Sequence, residues 1–152
     1  MIMSTHIHRY AACLALLAGC ASLAHAEPTC TNPLGRWKNE LGSTLIVSEF
    51  DASSGKISGN YISPSGTTGS EYPMVGWINN ASPTKSNNRT VFTFSVRWGT
   101  YGSVTAWTGT CVDGTKYKPA LITTLWHLAR GSSDYSWDHV LTNTDGFAAL
   151  PY

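Results

Sequence analysis

Residues 91–107, VFTFSVRWGTYGSVTAW, decide how the chain folds. They read as two strands around the turn Gly99-Thr100-Tyr101-Gly102. Successive side chains of a strand point to opposite faces, so each alternating set lines one surface. On the first strand Phe92, Phe94, Val96 and Trp98 share a side, with Thr93, Ser95 and Arg97 opposite. On the second strand Ser103, Thr105 and Trp107 share a side. A plain core has little use for hydroxyls among aromatic rings, because burying one without a partner costs about 2–7 kcal/mol. An aromatic wall with a few polar groups set into it is what a small-molecule pocket needs. The hairpin is therefore expected to form one side of such a pocket.

Outward from this hairpin the same grammar repeats. Short β-like runs fall at 35–39, 43–50, 56–63, 71–78, 89–98, 103–112, 119–129 and 139–147. Between them lie Glu40-Leu41-Gly42, residues 51–55, 64–70 and 79–88, and Asp113-Gly114-Thr115, rich in the Gly, Asn, Ser and Pro that turns prefer. No segment holds a 3.6-residue period, and there is no internal repeat or low-complexity tract. The expected fold is all-β: an eight-stranded antiparallel up-and-down β-barrel, the closure that removes exposed sheet edges. Eight strands leave an interior that side chains fill or that holds one small ligand. If the Trp and Phe residues point inward, the same parity carries Tyr61, Ser63, Thr105 and Asp145 inward, and sets Trp126 beside Ile122, Thr124 and Leu128. An interior carboxylate among hydroxyls needs a partner, either water or a ligand.

The 152 residues suggest one domain. Charged residues make up only 12%, and the 10 basic and 9 acidic side chains form no basic run, which argues against a nucleic-acid surface. Residues 1–26 read as a secretory signal peptide: Arg9 precedes an apolar run too short to span a bilayer, and Ala24-His25-Ala26 reads as a cleavage site. The domain then spans residues 27–152. Leu17-Ala18-Gly19-Cys20 is a competing lipoprotein box, which would attach the protein to a membrane through Cys20. Export implies an oxidising compartment. Cys13 and Cys20 lie in the targeting segment, which leaves Cys30 and Cys111 as an expected disulfide closing nearly the whole domain. No C-x-x-C or His pair accompanies them, so no metal site is expected. Asn80-Ala81-Ser82 and Asn88-Arg89-Thr90 fit the glycosylation sequon.

From about residue 34 to 147 the chain resembles the avidin and streptavidin family of biotin-binding proteins. The resemblance rests on Gly35-Arg36-Trp37-Lys38-Asn39-Glu40-Leu41-Gly42-Ser43, Gly59-Asn60-Tyr61-Ile62-Ser63, Phe94-Ser95-Val96-Arg97-Trp98, Thr105-Ala106-Trp107-Thr108-Gly109, Thr124-Leu125-Trp126-His127-Leu128, Trp137 and Asp145-Gly146-Phe147, all in order and at compatible spacing. It implies biotin as ligand and no cofactor. Asn39, Ser43 and Tyr61 would donate to the ureido oxygen; Ser63 and Asp145 would accept from its N–H groups; Thr105 would approach the sulfur. Trp98, Trp107 and Trp126 would wall the bicyclic ring. Trp137 would reach a neighbouring subunit's site in a homo-oligomer, a tetramer by the same likeness. Ser103, and Thr67 in a loop that departs from the family's sequence, would hold the valerate carboxylate. Cys30 and Cys111 match a disulfide found in avidin and not in streptavidin.

The function expected is secreted, non-catalytic sequestration of biotin. The alternative is a lipocalin-like extracellular carrier of another small apolar ligand. A secreted hydrolase is disfavoured: no Gly-x-Ser-x-Gly elbow occurs, and His139 beside Asp138 lacks an evident nucleophile. Trp37 and Trp77 are expected to be structural, and His127 and His139 to lie at the surface or an interface.

Overall fold

The structure, a computed structural model, describes residues 27–64, 69–79 and 89–151. The signal peptide and lipoprotein box, Thr67, the first sequon and Asn88 of the second lie outside the described residues. Eight strands run β1 Gly35–Asn39, β2 Thr44–Asp51, β3 Lys56–Ile62, β4 Glu71–Asn79, β5 Thr90–Arg97, β6 Ser103–Val112, β7 Leu121–Arg130 and β8 Val140–Ala149. Each pairs antiparallel with its neighbour, and β1 closes on β8 through Trp37↔Ala149, Lys38↔Ala148 and Asn39↔Phe147. The chain is thus the closed up-and-down barrel that its alternation implied.

The alternation sets the faces. In β4 the pattern buries Met74, Gly76 and Ile78 and leaves Val75 and Trp77 outside. In β5 it buries Phe92, Phe94 and Val96, and in β6 Thr105, Trp107 and Cys111. The lumen is aromatic at mid-height: Phe94 stacks on Trp107 at 4.8 Å, Tyr61 lies 4.9 Å from Trp107, and Phe147 meets Phe94 edge-on. Trp37 is fully buried, with its indole N–H donating to the Pro33 carbonyl at 3.0 Å. Trp77, expected to be structural, does not line the cavity described below. It stands half exposed on the outer face, because its parity opposes that of Ile78.

Two ends follow from the topology. At one end the N-terminal segment is pinned by the Cys30–Cys111 disulfide and by Cys30 N–H donating to Asp113 Oδ1 at 2.8 Å. The same end carries the β2–β3 turn, where Gly55 adopts φ +72° and a Cβ would fall 2.1 Å from the Ile78 carbonyl oxygen. At the other end lie the β1–β2, β3–β4, β5–β6 and β7–β8 connections. The β5–β6 turn proves to be a single 3₁₀ turn, Gly99–Tyr101, with Gly102 left-handed at φ +67°. Strand ends shift by a residue or two from the sequence reading, and β8 runs on to Ala149 because Ala148 and Ala149 complete the seam with β1.

Candidate functional site

The barrel opens at the end bearing the β1–β2 and β5–β6 turns into a cavity of about 310 Å³. Asn39, Ser43, Tyr61, Ser63, Trp98, Ser103, Thr105, Trp107, Trp126 and Asp145 line it. Ten of the twelve residues read from the sequence therefore meet in one hollow. Thr67 lies outside the described residues, and Trp137 does not line the cavity of its own chain. It projects from the β7–β8 loop, 78% exposed, against Tyr135. Leu41, Tyr101 and Leu128 complete the wall. Leu128 was within reach of the parity argument, since it shares a face with Trp126. Leu41 and Tyr101 sit in turns, where alternation gives no direction.

The polar groups are fixed by one another. Asn39 ends β1, and its Oδ1 accepts from the Ser43 N–H at 2.7 Å across the tight β1–β2 turn. That bond settles the amide orientation, so Nδ2 is the donor: it gives one hydrogen to Asp145 Oδ1 at 3.2 Å and keeps a second. Asp145 Oδ2 accepts from the Trp107 indole N–H at 2.9 Å, and the Thr124 hydroxyl donates to the Asp145 carbonyl at 3.2 Å. An ionised carboxylate has about four acceptor directions. Asn39 and Trp107 take two and the Trp126 side chain also bonds to the group, which still leaves acceptor capacity beside the cavity. Thr105 Oγ accepts from the Trp98 indole N–H at 2.7 Å, so its own O–H remains available to donate.

Electrostatics give these groups definite roles. Asp145 is 6% exposed, and burial raises its pKa above the usual carboxylate value. The Glu40 carboxylate adds to the rise, while the bonds from Trp107, Asn39 and Trp126 oppose it. Burial likewise pushes the Tyr61 phenol up, against a Ser43 hydrogen bond and with the Asp145 charge nearby. Tyr61 is thus a neutral hydrogen-bond donor at neutral pH. The cavity thus presents neutral donors from Asn39, Ser43 and Tyr61 next to the Asp145 carboxylate acceptor, with tryptophan rings in the same wall. No cluster of three or more metal-ligating side chains occurs among the described residues.

Comparison with known proteins gives a consistent picture. A family model described as the Avidin family matches residues 27–150. The crystal structure of bradavidin superposes with a TM-score of 0.63 at 27% identity, covering 76% of this chain and 78% of that one. The crystal structure of core-bradavidin gives 0.62 at 27% identity, covering 76% of this chain and 97% of that one.

Proposed function

The chain belongs to the avidin family, and on that premise we propose that it captures biotin in the barrel cavity without chemical conversion, as a secreted, oligomeric sequestering protein. The observation that carries this reading is the convergence of Asn39, Ser43 and Tyr61 donors with the Asp145 acceptor inside one tryptophan-walled hollow. A cyclic urea needs that set. Its carbonyl oxygen takes donors, its N–H groups take acceptors, and a carboxylate is the strongest acceptor available. The walls exclude water, which strengthens every polar contact they surround. Thr105, with its hydroxyl oxygen already engaged by Trp98, is left a donor suited to a weak thioether acceptor. Ser103, half-buried at the start of β6 beside the mouth, suits the valerate carboxylate. Strands already locked in a closed ladder reduce the ordering cost of binding.

Trp137 supports the shared-site reading, because it rises from the rim of one cavity and leaves that cavity uncovered. We assign it to the mouth of a neighbouring subunit's pocket, in a tetramer. Residues 1–26 are assigned to a cleaved signal peptide, with Cys20 the lipidation point if the competing site is used.

Titration calorimetry of the mature chain with biotin tests the reading. The expected result is one biotin per chain with a strongly favourable enthalpy. Absence of heat, together with binding of an apolar dye in the same cavity, would replace it with the lipocalin-like carrier. Size analysis of the same sample tests the assembly.

The raised Asp145 pKa sets the sign of a pH effect. Ligand N–H groups favour the ionised carboxylate, so binding lowers this pKa and releases a proton wherever the ligand-free group is protonated. Affinity is therefore expected to be flat at neutral pH and to fall on acidification through the raised Asp145 value. Calorimetry in buffers of different ionisation heat would show proton release in that acidic window. An affinity independent of pH down to the ordinary carboxylate range would contradict the assigned role.

A further inference from the structure

The connection between β7 and β8 is the longest described loop at the cavity end, and it is built around Arg130. The Arg130 guanidinium donates through Nη2 to Asp138 Oδ2 at 2.6 Å and through Nε to the Asp138 carbonyl at 3.1 Å. This is the one ion pair found among the described residues. The backbones of the loop's two ends are also tied: Arg130 N–H donates to the His139 carbonyl at 2.9 Å, and His139 Nδ1 donates to the Arg130 carbonyl at 2.9 Å. Gly131 N–H donates to the Gly102 carbonyl at 3.0 Å, which joins the loop to the turn that carries Tyr101. Asp138 Oδ1 is sealed from solvent with no hydrogen-bond partner among the described residues. Arg130 is therefore the countercharge that keeps this carboxylate in place.

What the clamp holds up is apolar and exposed. Tyr135 and Trp137 stack with ring centroids 5.2 Å apart and planes 24° from parallel, 57% and 78% exposed. Leu41 and Tyr101, at the rim of the cavity, are also more than half exposed. An apolar ring pair and an apolar rim left bare on the same chain are complementary surfaces. The ring pair does not turn back over its own cavity.

We propose that Arg130 is a positioning residue whose grip on Asp138 preforms the loop, so that Tyr135 and Trp137 act together as a two-ring cover for the pocket of a second copy of this chain. The inference rests on the shared-pocket reading of Trp137 and adds to it both the clamp and the second ring. Preforming matters because a cover that must order on binding loses affinity to that ordering. The guanidinium fork suits this role better than an ammonium, since it reaches a carboxylate and a carbonyl at once.

Two readouts on the full oligomer test the proposal: hydrogen exchange of amides 131–139 in ligand-free protein, and the dissociation rate of biotin. Arg130→Gln should speed exchange in this loop alone and speed biotin release by about tenfold, the equivalent of one charge-assisted hydrogen bond. Tyr135→Ala should speed release while leaving loop exchange slow at Gly131 and Asp138. In a Tyr135→Ala, Trp137→Ala background Arg130→Gln should add nothing to the release rate, whereas a merely structural role would add its full effect. Unchanged loop exchange in Arg130→Gln, or additive release rates, would overturn the inference and leave the shared pocket standing. A release rate unaffected by Trp137→Ala would remove the shared-pocket reading and this inference with it. Should Arg130→Gln fail to fold, Asp138→Asn, which keeps the shape and loses the charge, carries the same test.

Discussion

Asp145→Ala is expected to weaken biotin binding at neutral pH by about a hundredfold to a thousandfold. Two losses add. A ligand N–H is left without a charged acceptor in a dry site, worth about 1.5–3 kcal/mol. The Asn39 amide also loses the partner at 3.2 Å that holds its donor toward the cavity, and the Trp107 indole N–H loses its acceptor at 2.9 Å. A buried donor deprived of its partner costs about 1–3 kcal/mol in its own right, part of which falls on the ligand-free protein. A total of about 3–4 kcal/mol on binding corresponds to that range of affinity. Competition calorimetry reads it directly, with circular dichroism to show an intact barrel. An isotherm equal to that of the parent would mean that the carboxylate serves the protein's own hydrogen bonds and not the ligand.

The second large effect concerns stability. Cys30 and Cys111 are 81 positions apart in sequence, so their bond closes most of the domain into one loop. In the chain-entropy description a loop of that length is worth about 4–5 kcal/mol, acquired by restricting the unfolded chain. For a domain of this size each kcal/mol moves the midpoint by about 3–5 °C. Cys111→Ser should therefore lower the unfolding midpoint of ligand-free protein by about 12–25 °C, and reductant should do the same to the parent. Saturating biotin should recover much of that loss, because a ligand that binds only the folded state adds stability by mass action. A shift under about 3 °C would mean that the buried Trp37, with its bond to Pro33, and the Cys30–Asp113 contact anchor the N-terminal segment without the covalent link.

Much of the barrel was legible in the residues. The faces of β5 and β6 follow from Phe92, Phe94 and Val96 alternating with Thr93 and Ser95, and from Thr105 and Trp107 alternating with Ala106. No other assignment buries all the rings. Asp145 was placed inward by the same count from Phe147, and it is buried. Where a chain leaves its strand, the count ends. Tyr101 occupies a 3₁₀ turn and Leu41 a tight turn, so neither could be assigned to the rim from spacing alone. Trp77 follows the same count: its parity opposes that of Ile78, and it stands on the outer face.

The sequence by itself determined that the chain forms eight strands, which side of each is apolar, and which polar residues must accept an interior position. These are consequences of a two-residue side-chain period and of turn chemistry, both local. Only the tertiary structure decided which of the inward residues meet, because that depends on the stagger between strands and on the three-residue seam joining β1 to β8. That seam sets Asn39 against Asp145 from opposite ends of the chain and so fixes which amide hydrogen is left for a ligand. The Arg130–Asp138 clamp was likewise beyond sequence reading. A nine-residue loop can close in many ways, and the bonds across its base select one of them.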